Sequence, residues 1–254
     1  MSETRLLNTD RRRFLALLTQ SLPVLDVDWE PTPWPTDELL KIRIAIGAPL
    51  SHLGSTFWQD IDASIATSTY AHLVSDLVEC SHVAYWLWSE SGISSEQQRW
   101  IYLKTQALSY RLMALTPTSD EHILLRAGLL RWLQCITDCV GTRLCSLVTL
   151  DRLEAALKEM NGISLKASPG LWLWCSSLGA MIALSTTPSL KTAGQDAYGR
   201  RAAYFVDQTR LAMSELSLDS QDLEGYLSTS LYLPDRQQEG FTRLRRALSS
   251  DNRT

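Results

Sequence analysis

Leucine outnumbers valine 43 to 8 in this chain of 254 residues, and no other feature constrains the fold as strongly. Leucine keeps most of its rotamer freedom in a helix. β-Branched valine loses that freedom there and packs better on a pleated sheet. Tight turns are also scarce: 12 glycines and 9 prolines are too few for the turns of a sandwich or barrel. The chain is therefore expected to be all-α, a single bundle of about ten helices.

Hydrophobic periodicity places those helices. Residues 36–47 read as a short helix ended by Gly47 and Pro49, although Ile42 to Ile46 alternates briefly like a strand. Segments 55–69 and 70–89 follow, the second with Leu73, Leu77 and Val74, Val78 at i, i+4 spacing. Ser94 or Ser95 caps the next helix, which runs to about Leu115. Thr118-x-x-Glu121 reads as a capping box for residues 119–140. That stretch is apolar nearly all round, and so is 170–184 after Pro169; both are expected at the centre of the bundle. Thr149 is expected to open a helix that Asn161-Gly162 stops, and amphipathic helices at 199–216, 219–231 and 234–248 close the domain.

Three parts are expected: an N-terminal helix and a Pro/Trp-rich strap over residues 1–35, an all-helical domain over 36–248, and a disordered tail at 249–254. Hydrophobic residues at 45% and charged residues at 20% are ordinary for a globular protein. A net charge of -4 argues against a cationic surface for nucleic acid or anionic lipid. No apolar run approaches the roughly 20 residues of a bilayer span. Arg11-Arg12-Arg13 is followed by only five apolar residues before polar Thr19, unlike a signal peptide. The expected setting is soluble and intracellular.

The reactive residues fall into weak patterns. Cys135, Cys139 and Cys145 lack a C-x2-C pair, so no structural zinc is expected, and Cys80 and Cys175 stand alone. His72, Asp76, Glu79 and His82 fall on one side of a helix, but Glu-x-x-His occurs once where a di-iron bundle needs two copies; a solvated stripe is the simpler reading. Asp26-x-Asp28 and Asp60-x-Asp62 are too sparse for a magnesium cluster. His52 and His122 have no nucleophile motif beside them, and neither Gly-x-Ser-x-Gly nor a phosphate loop is present. Arg11 to Arg13, Arg200-Arg201 and the set Arg243, Arg245, Arg246 read as solvated helix ends. No catalytic residue, metal ligand or cofactor is assigned.

The nine tryptophans stand out. Trp86, Trp88 and Trp100 flank one helix connection, and Trp172 and Trp174 lie in the apolar 170–184 stretch. Core packing is the default for such residues; a ligand or partner pocket lined by Trp86, Trp172 and Trp174 is the alternative.

Taken in order, residues 70–248 resemble the regulatory domain of fungal-specific transcription factors. Leu124, Arg126, Leu129, Leu130 and Leu133 are similar to its central leucine-rich helix, and Leu153 and Leu157 to the helix after it. Pro169-Gly170-Leu171-Trp172-Leu173-Trp174, with Gly179 and Ala183, resembles its Pro-Leu-Trp-Gly-Ala segment. Tyr204-Phe205-Val206 resembles its aromatic-Phe-Val element, with Tyr204 where a tryptophan is common. Residues 102–115, ending Arg111-Leu112-Met113-Ala114-Leu115, and 223–248 are similar to its flanking helices. The six-cysteine zinc cluster that binds DNA in that family has no counterpart here.

The resemblance implies a nuclear regulator of a metabolic or secondary-metabolite gene set, non-enzymatic, partnered by other transcription regulators or the transcription machinery. Direct DNA contact would need a basic element placed in a groove, which this acidic chain does not offer. An all-helical enzyme or small-molecule binder with a Trp-lined pocket is the competing expectation.

Overall fold

A computed structural model of the protein describes residues 53–55, 68–89, 95–138, 146–160, 162–186 and 194–250. The chain divides into two units, Met1–Thr32 and Pro33–Thr254, and every described residue belongs to the second. The expected N-terminal helix and strap, the 36–47 helix, most of 55–69, both Asp-x-Asp pairs, His52, Cys139, Cys145 and residues 251–254 lie outside the described part.

The described residues hold nine helices and no strand. They are α1 (Ser68–Ser89), α2 (Ser95–Ala114), α3 (Asp120–Asp138), α4 (Ser146–Glu159), α5 (Gly162–Ala167), α6 (Pro169–Thr186), α7 (Gly194–Glu215), α8 (Asp222–Thr229) and α9 (Pro234–Ser250). The all-α class read from the leucines holds.

Helix α6 is the hub. Pro169 opens it, as suits a first-turn residue with no N–H to satisfy. Every residue of 170–181 is buried. A helix apolar all round cannot face water on any side, so its neighbours enclose it. Its most extensive neighbour is α7, followed by α9, α3 and α4. Two glycines let aromatic rings reach it. A Cβ at Gly179 would lie 2.3 Å from the Phe205 ring of α7, and one at Gly128 of α3 would lie 2.5 Å from the Trp174 ring. Each fully buried side chain of this size contributes on the order of 2 kcal/mol through removal from water alone.

Helices α1 and α2 form a hairpin that packs onto α3. Its buried face alternates leucines (Leu73, Leu77, Leu108, Leu112) with polar groups: Ser81, His82, Lys104 and Thr105 are all buried. Ser81 Oγ donates to Leu77 O at 2.7 Å and accepts the Trp132 Nε1 proton of α3 at 3.0 Å. Thr105 Oγ1 returns to Ile101 O at 2.9 Å. These hydroxyls satisfy themselves on their own helix, so burying them is cheap.

Several helix ends differ from the sequence reading. The hydroxyl that takes a backbone N–H at the start of α3 belongs to Ser119, not Thr118: His122 N donates to Ser119 Oγ at 3.3 Å. Helix α4 starts at Ser146, three residues before Thr149, whose hydroxyl bonds to Gln134 Oε1 of α3 instead. Helix α4 ends at Glu159, next to the expected stop at Asn161-Gly162, and a separate short helix, α5, begins at Gly162. Helix α7 starts at Gly194, five residues before the expected boundary. Asp219 is the acceptor for the N–H groups of Gln221 and Asp222, which delays α8 to Asp222. Ser249 and Ser250, expected in the tail, belong to α9.

Between α7 and α8 the chain turns through Ser217, at φ 54. Leu218 N donates to Met213 O and Ser217 N to Ser214 O, the paired bonds of a Schellman C-cap with serine in the usual glycine place. Arg243, read as part of a solvated helix end, has a structural acceptor in Leu184 O at 2.8 Å, and Arg210 donates in the same way to Ala247 O at 2.8 Å. These are last-turn carbonyls of α6 and α9, which have no acceptor role within their own helices.

Candidate functional site

Of the three tryptophans singled out from sequence, Trp172 and Trp174 face different sides of one helix. Trp172 and Trp174 are two residues apart, which places them about 200° apart around α6. Both are buried, at 3% and 2% exposure. Trp174 reaches between α3 and the segment before α9, where its Nε1 donates to Leu231 O at 3.0 Å. Trp172 Nε1 has no acceptor. Trp86, on α1, is half-buried and packs against the edge of the same core, as does Trp100 of α2. The Trp88 side chain is outside the described residues.

The residues behind the family resemblance are mostly core. Leu124, Leu129, Leu133, Leu153, Leu157, Leu171, Leu173, Ala183, Phe205 and Val206 are all buried. Arg126 is half-buried and donates to Leu115 O at 2.9 Å, closing the α2 to α3 turn. Tyr204 stands edge-on to Phe205 with the Lys158 ammonium of α4 over its ring at 5.0 Å. Burial, and then the nearby Glu154 carboxylate, push its phenol up to about 12. Arg201 ties α7 to α4 through Asp151 and Glu154.

The His72 to His82 stripe is divided between different tasks. His72 is exposed, Asp76 pairs with Arg111 of α2 at 2.7 Å, Glu79 is half-buried and His82 is buried. Expecting a uniformly solvated stripe was wrong, because α2 packs across it. Among the described residues no group of three or more His, Cys, Asp or Glu side chains could hold a metal ion.

Cys80 and Cys175 are free and fully buried, and Cys135 is half-buried. Burial raises the Cys80 thiol to about 12, with Lys104 opposing and Glu79 and Asp76 adding. Burial alone lifts Cys175, whose Sγ lies 3.8 Å from Leu124 O. Thiols held protonated this way are poor nucleophiles.

The polar arrangement that sequence reading missed is at the start of α3. The Tyr70 ring of α1 stacks on the His122 ring at 5.0 Å between centroids and 12° between planes. They are 5% and 8% exposed. His122 Nδ1 lies 2.9 Å from Thr118 Oγ1 and 3.3 Å from Ser119 Oγ. Neither Tyr70 Oη nor His122 Nε2 has a hydrogen-bond partner. Burial raises the Tyr70 phenol, opposed by the positive charge of Arg126. Thr118, Ser119 and His122 within five positions were the available signal, but the capping-box reading absorbed the first.

No family model matches the chain, and neither a curated protein nor a solved structure is similar to it. Among the described residues no helix is long and apolar enough to cross a membrane.

Proposed function

We propose that this chain is a regulator of transcription of fungal type that works through contacts with other transcription proteins and has no catalytic centre of its own. One observation carries the reading. One segment that carries the resemblance, Pro169 to Trp174 with Gly179, lies in the enclosed hub helix α6, where a fold-defining motif belongs. A motif devoted to packing leaves the outer helix faces for partners, and helix-in-groove binding needs only such faces. The net charge of -4 favours protein partners over the DNA backbone.

Tagged full-length protein in its native cells supplies the test. A nuclear pool is expected, with chromatin occupancy that disappears when a DNA-binding partner is deleted. Uniform cytosolic distribution with no chromatin signal would overturn the proposal.

The competing reading, a small-molecule binder, is favoured by the buried Trp172 N–H that lacks an acceptor. Quenching of buried tryptophan fluorescence by a metabolite fraction, abolished in Trp172→Phe but retained in Trp86→Phe, would support it.

A further inference from the structure

We propose that Ser249, in the last turn of α9, is a phosphorylation site for a protein kinase that reads arginines ahead of its target, and that Arg210 of α7 controls access to it. The proposal goes beyond the transcription reading and does not rest on it.

Charge pattern singles out the residue. Kinases choose among serines largely by charge, and an acidic groove beside the active site takes up cations N-terminal to the acceptor. Of all the serines and threonines in the chain, only Ser146 and Ser249 have an arginine three residues before them, and only Ser249 has a second one at the fourth. Arg245, Arg246 and Ser249 are all exposed. They lie one turn apart on one side of the helix. Neither guanidinium pairs with a carboxylate among the described residues, so both are available to a kinase. Arg243, by contrast, is engaged by Leu184 O and Glu239 and stays with the fold.

The fold decides how readily that segment is presented. A kinase takes its target as extended chain, so the last turn of α9 must open before transfer. Three contacts hold it. Ser249 Oγ donates to Arg245 O at 2.9 Å, Arg210 donates from α7 to Ala247 O at 2.8 Å, and Leu248 is only 8% exposed. The last carbonyls of a helix have no partner within it, so opening the end costs little more than these contacts. Ser249 and Leu248 belong to the segment a kinase would read. Of the three contacts, only the Arg210 bond can be removed without altering that segment.

In the transfer itself, Ser249 Oγ bonds to the γ-phosphorus of ATP as the bond to the leaving oxygen of ADP breaks. The hydroxyl proton passes to a carboxylate of the kinase.

Full-length protein is incubated with magnesium ATP and a limiting amount of a purified kinase that selects arginine three residues before serine, and the phosphate is located and timed by mass spectrometry. Phosphate is expected on Ser249, and Ser249→Ala should stay unmodified over the same period. Arg246→Gln should slow the reaction by about tenfold or more. Arg210→Met keeps the apolar stem and removes the bond to Ala247 O. The open population, and with it the rate, should rise by about tenfold, the loss of one hydrogen bond from a charged donor. Arg210→Lys keeps the charge and loses the fork, so it should give a smaller rise, and it carries the comparison if the methionine variant does not fold. The proposal is overturned if phosphate goes mainly to Ser146, Ser250 or another residue, or if Arg246→Gln reacts as fast as wild type. It is overturned equally if a folded Arg210 variant reacts no faster.

Discussion

Helix α6 and the α1–α2 hairpin are both buried against the same core, yet they are built on different terms. Along α6 the enclosing contacts are mainly apolar, aromatic and close, with Gly128 and Gly179 admitting the Trp174 and Phe205 rings and one polar link, from Thr209 Oγ1 to Ser176 Oγ, set among them. In the hairpin, leucines share the buried face with Ser81, His82, Lys104 and Thr105. A close-packed apolar helix is held by shape and loses stability steeply when a volume changes. A polar buried face is held by satisfied partners and is sensitive to the loss of one of them. The difference separates a part of the molecule held mainly by shape from one that depends more on hydrogen-bonded polar groups.

The largest expected effect tests the first half of that contrast. Trp174→Ala should lose about 3–5 kcal/mol in urea denaturation, whereas Trp86→Ala, on the half-buried edge of the hairpin, should lose less than about 2 kcal/mol. Equal losses would break the contrast. Next is Gly179→Ala, where the new methyl group meets the Phe205 ring; a loss of about 2–3 kcal/mol is expected. Pairing it with Phe205→Leu should restore part of the loss, measured as a non-additive double-mutant cycle.

Ser81→Ala sharpens the second half. It deprives the buried Trp132 N–H of its acceptor, with little change in volume. About 1–2 kcal/mol should be lost, and replacing Trp132 with Phe in the same protein should make the serine change nearly neutral.

Alkaline pH acts on the hairpin through its buried thiol. Cys80, raised to about 12 by burial, stays protonated in the fold above the pH at which it ionises when unfolded. The unfolded chain then binds fewer protons, so stability is intact below the ordinary thiol value and falls as pH rises from there toward 12. The slope reaches about 1 kcal/mol per pH unit for one group, and Cys80→Ala should flatten it in pH-dependent unfolding curves. Smallest is Asp76→Asn: the side chains of the Arg111–Asp76 pair are 41% and 31% exposed, and less than about 0.5 kcal/mol should be lost.

Leucine periodicity made most of this fold legible. The bounds of α1, α2, α6 and α9 fall within a few residues of their apolar patterns, because a repeat of 3.6 is a property of one strand of sequence. Where several short polar residues compete for one helix end, local pattern does not decide. Thr118 and Ser119 are both good caps, and the winner depends on where the His122 ring goes once Tyr70 stacks on it. Thr149 likewise was taken by Gln134 across a helix interface. The stacked Tyr70–His122 pair was illegible for the same reason: the two residues are 52 positions apart and meet only after α1 and α3 pack. The tryptophans were conspicuous in sequence, but residue type alone does not distinguish a core indole from a pocket lining.

The most direct test of the claim that α6 exists to hold the bundle together is native-state hydrogen exchange, read residue by residue. Amides of 170–181 should exchange only through global unfolding, with the free energy and denaturant dependence of the whole domain, while amides of α1 and α2 open through smaller local events. Exchange of the α6 amides at lower free energy than those of the hairpin would contradict it, since a hub helix cannot open before the elements packed around it.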